Sequence, residues 1–400
     1  MNILFYHGDE TCPTMGGIQR TTAVVASGLA REYGHHCYNI YDYEEPYPVD
    51  VPRYKYIDSR RLRPGFTADE LAPLLKQWKI DVVVNQMMPW KNQILRQAID
   101  RAGIDCRLLY FHHTTPKRLW DTSMRGALKA FAGSRTPAEY LRRVLRIVGL
   151  PLYRFVFNKK TIREHAELYR RIYRDVHRFV LLSANYTEEW VQMTGVTDLS
   201  RLRAIPNALS FDVWADEKIF LSKEKRVLIV ARMTEFPKQI IMALKMWKKI
   251  TREKDLDDWR LDIVGSGADL DMFKAYAQSH GIGRVTFHGR RESQPFYEKS
   301  LIFIMTSVRE GWAMTLNEAQ QLGVVPVAFD SFGAVRDIIS DGENGFLVRP
   351  FDRHEYIEKL KLLMRDEVLR HRMAANAVRS SERYAIDKVL AMWQGLLTEN

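Results

Sequence analysis

Two glutamates, Glu310 and Glu318, stand eight residues apart in a stretch whose pattern could bring both to one site. Residues 301–305 are an apolar run typical of a fully buried strand, and residues 324–329 are another. Residues 313–322, between these runs, suit a short helix that is ended by a glycine. We therefore expect Glu310 in the turn at the carboxyl end of a parallel strand, where open α/β sheets bind their ligands, and Glu318 inside the helix.

The start of this predicted helix supplies a second kind of binding group. The backbone amides of Ala313, Met314 and Thr315 have no partner within the helix and point at the same crevice, so they are a ready site for an anion. A carboxylate beside an anion site suits a ligand that carries both hydroxyl and phosphate groups. A nucleotide sugar carries both.

Glu310 and Glu318 also match the Glu-x7-Glu motif of the retaining, nucleotide-sugar-dependent glycosyltransferases of family 4. The context resembles that family as well: a buried strand, a Glu-Gly-aromatic turn, a helix, a glycine and a second strand that contains Pro326. The resemblance implies the two-domain GT-B fold, with donor-sugar hydroxyls held by Glu310 and the ribose held by Glu318. It places five further residues at the donor, namely Gly311, Trp312, Ala313, Met314 and Thr315. The alternative is a loop glutamate and a solvated helix glutamate that share no ligand.

Two cations form a second candidate group. Arg232 and Lys238 are six residues apart and follow a predicted strand at residues 226–230, in a loop that leads into a helix with Pro237 in its first turn. Two cations and a helix N-terminus at the carboxyl end of a strand suit the binding of a diphosphate. Family 4 carries an Arg and a Lys at this place and spacing, so the resemblance implies that both stabilise the leaving diphosphate. Two surface cations without a ligand are the alternative.

Glycine-containing turns follow several predicted strands. Gly16 and Gly17 lie between the first strand and a helix, where they let backbone amides approach a phosphate or an acceptor group. In the family this loop touches the donor diphosphate or the acceptor, although a plain tight turn explains two glycines equally well. The turns at Gly265 and at Gly289-Arg290 correspond to the family's borders of the nucleotide base and ribose.

Two histidines follow the predicted strand at residues 107–111. Members of the family that act on membrane lipids have a Phe-His at this point, with the histidine near the reacting centre. Phe111-His112 matches that pair, so the resemblance gives this role to His112, with His113 as the alternative. A histidine that only makes surface or structural hydrogen bonds is the simpler reading of either residue.

The chain departs from the family pattern at four places. The family usually has Gly-Phe-Gly after the first glutamate, where this chain has Gly-Trp-Ala, and the residue after the lysine is Gln239 instead of glycine. Ala208 replaces a glycine where the second domain opens, and Asp337 replaces a glutamate. A lost glycine restricts how closely the backbone can approach a ligand, so we expect an altered sugar preference.

Composition predicts a globular protein of two domains. Four hundred residues are too many for one ordinary core, and 46% apolar with 27% charged residues is typical of a folded soluble chain. The three cysteines, Cys12, Cys37 and Cys106, are scattered, which predicts neither a disulfide framework nor a zinc site and favours a reducing cytosol. The first residues suit a strand rather than a signal peptide, and no run of about 18 apolar residues could span a membrane.

The net charge of +11 comes from one stretch. Residues 115–180 contain sixteen Lys or Arg against five Asp or Glu, which equals the whole excess. Arg142, Arg143 and Arg146 are interleaved there with apolar residues, and this pattern favours a helix in an anionic membrane interface, where each cation adds on the order of 1 kcal/mol. An amphipathic helix with a solvated basic face is the alternative. The local excess argues against a general nucleic-acid binder and for one local anionic partner. We expect a cytoplasmic protein that is peripheral on the inner face of the cytoplasmic membrane.

The alternation of strands and helices predicts an α/β protein with two doubly wound parallel sheets. Residues 1–205 are expected to form a Rossmann-like acceptor domain that contains the basic segment 115–180. Residues 206–383 are expected to form a Rossmann-like nucleotide-sugar domain, which opens near Ile205-Pro206-Asn207 as in the family. The last helix, within residues 384–400, is expected to cross back onto the first domain, as in GT-B proteins.

The resemblance implies a hexosyltransferase that moves a sugar, with retention, from a nucleotide diphosphate sugar to a hydroxyl of a glycan or lipid-linked acceptor. Surface polysaccharide or lipopolysaccharide synthesis is the expected setting. We expect no cofactor and no metal requirement, because no Asp-x-Asp pair is flanked directly by strands. A GT-B epimerase or hydrolase would consume the donor without an acceptor. An inactive scaffold of the same fold has no reason to keep Glu310, Glu318, Arg232 and Lys238 together.

Overall fold

The computed structural model describes residues 1–12, 16–43, 55–116 and 150–399. In these ranges each half of the chain forms one parallel β-sheet. The strands of the first sheet are β1 Asn2–Tyr6, β2 His36–Tyr41, β3 Ile57–Arg61, β4 Val82–Gln86, β5 Arg107–His112, β6 Arg178–Leu181 and β7 Leu202–Ala204. Those of the second are β8 Glu224–Val230, β9 Arg260–Val264, β10 Val285–Gly289, β11 Ser300–Met305, β12 Val325–Phe329 and β13 Phe346–Val348. The strand orders are β3-β2-β1-β4-β5-β6-β7 and β10-β9-β8-β11-β12-β13.

Helices connect the strands and cover both faces of the first sheet. Those of the first half are α1 Gly17–Tyr33, α2 Ala68–Gln77, α3 Asn92–Ala102, α4 Leu150–Asp175 and α5 Thr187–Thr194. Those that follow are α6 Glu217–Leu221, α7 Glu235–Lys238, α8 Ile240–Ile250, α9 Leu270–Ser279, α10 Gln294–Lys299, α11 Met314–Gln321, α12 Val335–Ile338, α13 Arg353–Arg365, α14 Glu367–Ser381 and α15 Ile386–Thr398. Short 3-10 turns lie at Pro89–Lys91, Ala184–Tyr186, Lys254–Leu256 and Glu382–Tyr384.

The apolar strands are buried on two sides, which explains their composition. In β1, Ile3 and Phe5 pack against α1 and α15, whereas Leu4 and Tyr6 pack against α2 and α3 on the other face. A strand covered on both faces is apolar at every position instead of alternating with polar residues. The predicted fold class, two doubly wound parallel sheets, is therefore confirmed.

Three short strands have no signal in the sequence. Four of the five residues of β3 are exposed, and β7 and β13 contain three residues each. All three lie at an edge of a sheet. The mostly exposed β3 carries no apolar run, and the three residues of β7 or β13 are too few for a pattern that predicts a strand.

The last helix, α15, packs against the first sheet. The ring of Trp393 stacks on Phe111 with centroids 4.2 Å apart. Beyond the helix end, the carboxylate of Glu399 lies 2.7 Å from the Arg178 guanidinium and 3.0 Å from that of Arg203. The polypeptide therefore forms the first domain, then the second domain, and returns to the first domain with α15.

Much of the predicted membrane-binding segment lies outside the described residues, including Arg142, Arg143 and Arg146. Its later part forms α4. In the described ranges, the helices are too short or too polar to cross a lipid bilayer.

Candidate active site

The first domain and the turn after β11 are in close contact at Gly311. A Cβ atom built on Gly311 would lie 2.0 Å from the carbonyl oxygen of His113 and 2.9 Å from the Cα of Thr114. Both neighbours are backbone atoms, so only glycine permits this approach. The Tyr186 hydroxyl, also in the first domain, donates to the carbonyl oxygen of Glu310 at 2.6 Å. The Glu-Gly turn is therefore held against the first domain through its backbone.

Glu310 forms an ion pair with Lys238. Its Oε1 lies 2.5 Å from the lysine Nζ, and both side chains are partly exposed. The lysine segment is fixed by Thr306, whose hydroxyl donates to the Lys238 carbonyl at 2.9 Å, and by Val308, whose amide donates to the carbonyl of Pro237 at 2.9 Å. The sequence suggested one ligand for Glu310 and Lys238 but not their direct contact. The pair places a carboxylate suited to hydroxyls beside an ammonium suited to phosphate.

Gln239 adopts a backbone conformation that favours glycine. Its φ of 55° and ψ of 42° lie in the left-handed region, which costs a residue with a Cβ roughly 1–2 kcal/mol. The residue joins α7 to α8, and its amide donates to the carbonyl oxygen of Glu235 at 2.6 Å. The replacement of the family's glycine by glutamine therefore strains the backbone directly after Lys238.

The Glu318 carboxylate has three donors, and its side chain is 2% exposed. Its Oε1 accepts from the Arg20 guanidinium at 2.5 Å and from the Ser210 hydroxyl at 2.8 Å, and its Oε2 accepts from the Tyr297 hydroxyl at 3.2 Å. Burial, and then the charge of Glu318, raise the pKa of Tyr297 well above its ordinary value, so the hydroxyl keeps its proton and donates. Arg20 belongs to α1, so one of the three donors comes from the other domain.

The N-terminus of α11 differs in part from expectation. The Met314 amide donates to the carbonyl oxygen of Trp312 at 3.0 Å, so it is not one of the unpartnered amides that the pattern predicted. The Trp312 ring is buried and meets Tyr384 edge-on with ring centroids 5.1 Å apart, so the predicted donor contact of this residue is left to its backbone. A tight turn before the helix explains both differences, because it uses the Met314 amide and directs the Trp312 ring into the core. The amides of Ala313 and Thr315 stay predicted anion ligands.

The start of α8 carries its own carboxylate. Oε2 of Glu235 accepts from the Ile241 amide at 3.0 Å, and Oδ2 of Asp269 accepts from the Glu235 amide at 2.8 Å. The N-terminus of this helix was expected to help bind a diphosphate, but its Ile241 amide donates to the Glu235 carboxylate instead. Arg232 is exposed at the end of β8, and Lys238 follows in α7. The two cations are therefore the groups in this loop that suit a phosphate.

His112 was expected at the cleft but is buried, whereas His113 lies beside the Glu-Gly turn. His112 is the last residue of β5, and its ring is buried between Tyr169, at 5.0 Å edge-on, and Phe179, at 6.0 Å stacked. The expectation that His112 faces the cleft is wrong because β5 extends one residue further than predicted, and its alternation turns this ring into the core. His113 is half-buried, hydrogen-bonds Gln86 through Nε2, and its own carbonyl abuts the Glu-Gly turn.

The His113 imidazole is neutral near pH 7. Burial, followed by the proximity of His112 and His7, lowers its pKa to about 3. A base this weak does not take a proton at neutral pH, but it can orient a hydroxyl by hydrogen bonding.

The predicted glycine turns lie at strand ends of both domains. Gly16 has a φ of 42° and directly precedes α1, whereas a Cβ on Gly17 would meet no atom within 4 Å. In the second domain the Gly265 amide donates to the Gly289 carbonyl at 2.8 Å, which joins two neighbouring turns. Arg290 is exposed beside them. These turns place backbone and one cation at the carboxyl edge of the second sheet.

Sequence reasoning missed Arg20, Ser210, Tyr297 and Tyr186. Arg20 alone had a signal, since it lies one turn into the helix that follows Gly16 and Gly17. Ser210 and Tyr297 are far from Glu318 in the sequence, and only the fold brings their hydroxyls to its carboxylate.

The fold and these side chains can be compared with known proteins. Residues 212–380 match the family described as Glycosyl transferases group 1. This range contains both glutamates of the motif and the pair Arg232 and Lys238. The match therefore falls within the part of the chain that forms the second domain, which is similar to the members of this family.

Two relatives each match about half of this chain. An uncharacterised glycosyltransferase of Haemophilus influenzae is 31% identical over 182 residues, which is 45% of this chain and 51% of the relative. A Campylobacter jejuni protein, GalNAc-alpha-(1->4)-GalNAc-alpha-(1->3)-diNAcBac-PP-undecaprenol alpha-1,4-N-acetyl-D-galactosaminyltransferase, is 27% identical over 205 residues, 50% of this chain and 55% of the relative. The matched region thus spans about half the length of these curated relatives.

Several solved structures cover nearly the full length of this chain, and HepE is one example. HepE of Anabaena, in complex with UDP-glucose, superposes with a TM-score of 0.71 and 14% identity, covering 100% of this chain and 99% of HepE. At this identity the likeness shows the fold, which is GT-B.

Proposed function

We propose that this protein is a retaining glycosyltransferase that moves a sugar from a nucleotide diphosphate sugar to a hydroxyl of a glycan or lipid-linked acceptor. The observation that carries the proposal is the contact of Glu310 with Lys238 beside Gly311, where the two domains meet. The family match of the second domain and the UDP-glucose bound by HepE support it.

In this proposal the main task of the site is to stabilise the leaving diphosphate. The Arg232 guanidinium, the Lys238 ammonium and the amides of Ala313 and Thr315 meet the charge that develops as the bond from the anomeric carbon to the phosphate oxygen breaks. Glu310 holds hydroxyls of the donor sugar, and its contact with Lys238 then gives way to contacts with the two ends of the donor. We propose that these cations act without a metal ion.

Front-side attack is the proposed route to retention. The acceptor oxygen bonds to the anomeric carbon on the face that the diphosphate leaves, and the acceptor proton passes to the departing phosphate oxygen. His113 is too weak a base to take that proton at neutral pH, given a pKa of about 3. Its imidazole and the Gln86 amide instead orient hydroxyl groups at the first domain.

The proposed acceptor is a glycan carried by a lipid, in the assembly of a bacterial surface polysaccharide. The name of the Campylobacter relative describes such an acceptor, a sugar chain on a PP-undecaprenol carrier. The basic excess in residues 115–180 supports peripheral contact with an anionic membrane. Binding to anionic vesicles at physiological salt tests this contact, and failure to bind them would remove it from the proposal.

A screen of UDP-, GDP- and ADP-sugars tests the donor site. We expect one donor to raise the melting temperature of the wild type and to be turned over, and Lys238→Ala to lower turnover by roughly 10²–10³, as for loss of one oxyanion donor. Lys245→Ala is the matched control, because Lys245 is an exposed lysine on α8. Absence of binding by every donor would contradict the proposal. Donor consumption that no acceptor accelerates would favour a hydrolase or epimerase.

A further inference from the structure

We propose that Arg20 is a nucleotide-binding residue that covers Glu318 until a nucleoside diphosphate arrives and then moves to the diphosphate. The inference rests on the proposed function and adds a ligand from the first domain to the donor site. Three observations lead to it: the contacts of Arg20, the burial of Glu318, and the position of both beside the start of α11.

Arg20 reaches across the boundary between the domains. Its Nη2 lies 2.5 Å from Oε1 of Glu318 and 3.8 Å from Sδ of Met314, the first residue of α11. The neighbouring Thr21 hydroxyl lies 3.7 Å from the same sulfur. The first turn of α1 therefore rests on the first turn of α11.

Access to Glu318 requires a donor to leave. Its side chain is 2% exposed, and Arg20 and Ser210 both donate to Oε1. Tyr297 is fully buried in the same domain as Glu318. Ser210 directly precedes Phe211, whose carbonyl oxygen accepts from the Gln321 side-chain amide of α11 at 2.7 Å. The Arg20 side chain is 27% exposed and belongs to a helix of the other domain, so it is the donor that can move without disturbing the core.

A displaced arginine needs a new anion. The guanidinium stays charged at every ordinary pH, and an unpaired charge in a partly buried cleft is unfavourable. Beside it lies the start of α11, where the amides of Ala313 and Thr315 are expected to meet the diphosphate. Arginine matches phosphate oxygens with two parallel hydrogen bonds. Ribose hydroxyls then hydrogen-bond to the Glu318 carboxylate while the diphosphate pairs with the Arg20 guanidinium, so every charge keeps a partner.

This exchange distinguishes a nucleoside from its diphosphate. A nucleoside displaces Arg20 from Glu318 but offers the guanidinium no anion, so its binding carries the whole cost of breaking that ion pair. A nucleoside diphosphate replaces the lost partner. Removal of the Arg20 side chain should therefore help the nucleoside and harm the contribution of the two phosphates.

Calorimetry on the full chain tests the inference with uridine, guanosine and adenosine and with UDP, GDP and ADP. For the base that the wild type prefers, the ratio of the nucleoside Kd to the diphosphate Kd should fall about 10- to 100-fold in Arg20→Ala, the scale of one charged hydrogen bond. The nucleoside itself should bind Arg20→Ala more tightly than it binds the wild type. Arg20→Lys should recover part of the ratio, because it keeps the charge but not the fork.

Arg31→Ala is the matched control, since Arg31 is an exposed arginine in the last turn of the same helix. It should leave both dissociation constants unchanged. An unaltered ratio in Arg20→Ala, or nucleoside binding no tighter than in the wild type, including none detected, would overturn the inference while the donor site stands. If the wild type binds none of the three diphosphates, the proposed function fails and the inference fails with it.

Discussion

Gln239 and Gly311 are single residues at which one Cβ atom decides the backbone near the cleft. The first has a Cβ where the backbone favours glycine, and the second lacks one where no Cβ fits. Both stand next to residues of the candidate site, Lys238 and Glu310. Removal of the Cβ at Gln239 should therefore stabilise the protein, whereas addition of a Cβ at Gly311 should lower its turnover.

Gln239→Gly should raise the free energy of unfolding by about 0.5–1 kcal/mol. Relief of the left-handed conformation gains roughly 1–2 kcal/mol, and the greater freedom of glycine in the unfolded chain takes back roughly 0.5–1 kcal/mol. Urea denaturation measures the difference. Gln278→Gly, in the right-handed backbone of α9, is the control and should lose about 1 kcal/mol. A loss in both variants would show that Gln239 is not strained.

Gly311→Ala should lower turnover about 10²-fold, the cost of a misplacement near 1 Å at a reacting centre. The added methyl would press on the backbone of His113 and move the Glu-Gly turn away from the first domain. Steady-state turnover with the preferred donor is the measurement. Gly395→Ala is the control, because its Cβ would meet no atom within 4 Å and should leave turnover intact. Full activity in Gly311→Ala would mean that the contact is not needed for catalysis.

At this scale the sequence located residues better than it oriented them. The apolar strands that precede Glu310, Glu318 and Lys238 predicted where these residues lie in the fold. The sequence pattern misjudged the direction of the His112 side chain, which depends on where β5 ends. A shift of one residue reverses such a side chain, and no composition signal records it.

The element that most needs explanation by long-range contact is α15. Its amphipathic pattern predicted a helix, and its place on the first sheet was expected only from the resemblance. The contacts that hold it there are specific: Trp393 lies flat on Phe111, and Arg107 donates to the carbonyl oxygens of Leu397 and Glu399. The edge strands β3, β7 and β13 were not predicted, because they are exposed or only three residues long.

Glu399 should make the docking of α15 depend on pH. Arg203, and then Arg178, lower the pKa of this carboxyl in the folded protein. A lowered folded pKa gives stability that is present above the unfolded pKa of about 4.3 and is lost as the pH falls through the folded pKa. The pair is partly exposed, so its worth is at most about 1 kcal/mol.

Comparison of Glu399→Gln with the wild type between pH 7 and pH 2 isolates this contribution. The free energies of unfolding from urea titrations should differ at pH 7 and converge in acid. Glu343→Gln is the control, an exposed glutamate of the second domain. A difference that does not change with pH would assign the effect to packing instead of charge.

For the whole molecule, the decisive feature is the set of contacts that joins the two domains around the cleft. One such contact is the ion pair of Arg20 with Glu318. In another, the Asp337 carboxylate accepts from the Ser183 hydroxyl and, at 2.9 Å, from the side-chain amide of Asn185. Asp337 stands where the family usually has glutamate, and no pattern around it predicted that it bridges the domains. Residues on opposite domains come together only through the fold, so this interface was beyond sequence reasoning.

Asp337→Ala should let the domains separate. Loss of two hydrogen bonds to a carboxylate weakens the interface by about 3–6 kcal/mol before relaxation, so small-angle scattering should give a larger radius of gyration. Asp330→Ala is the control, because that carboxylate pairs with Arg336 within the second domain. An unchanged radius in Asp337→Ala would show that the remaining contacts hold the domains together.

The path of the chain through the two domains has a consequence for synthesis on the ribosome. A growing polypeptide emerges from its N-terminus, and domains generally fold as they emerge. Here Trp393 covers the rings of Phe5 and Phe111, and it is synthesised only after the entire second domain. The domain that is translated first is therefore completed last, and during the interval its uncovered face is open to chaperones.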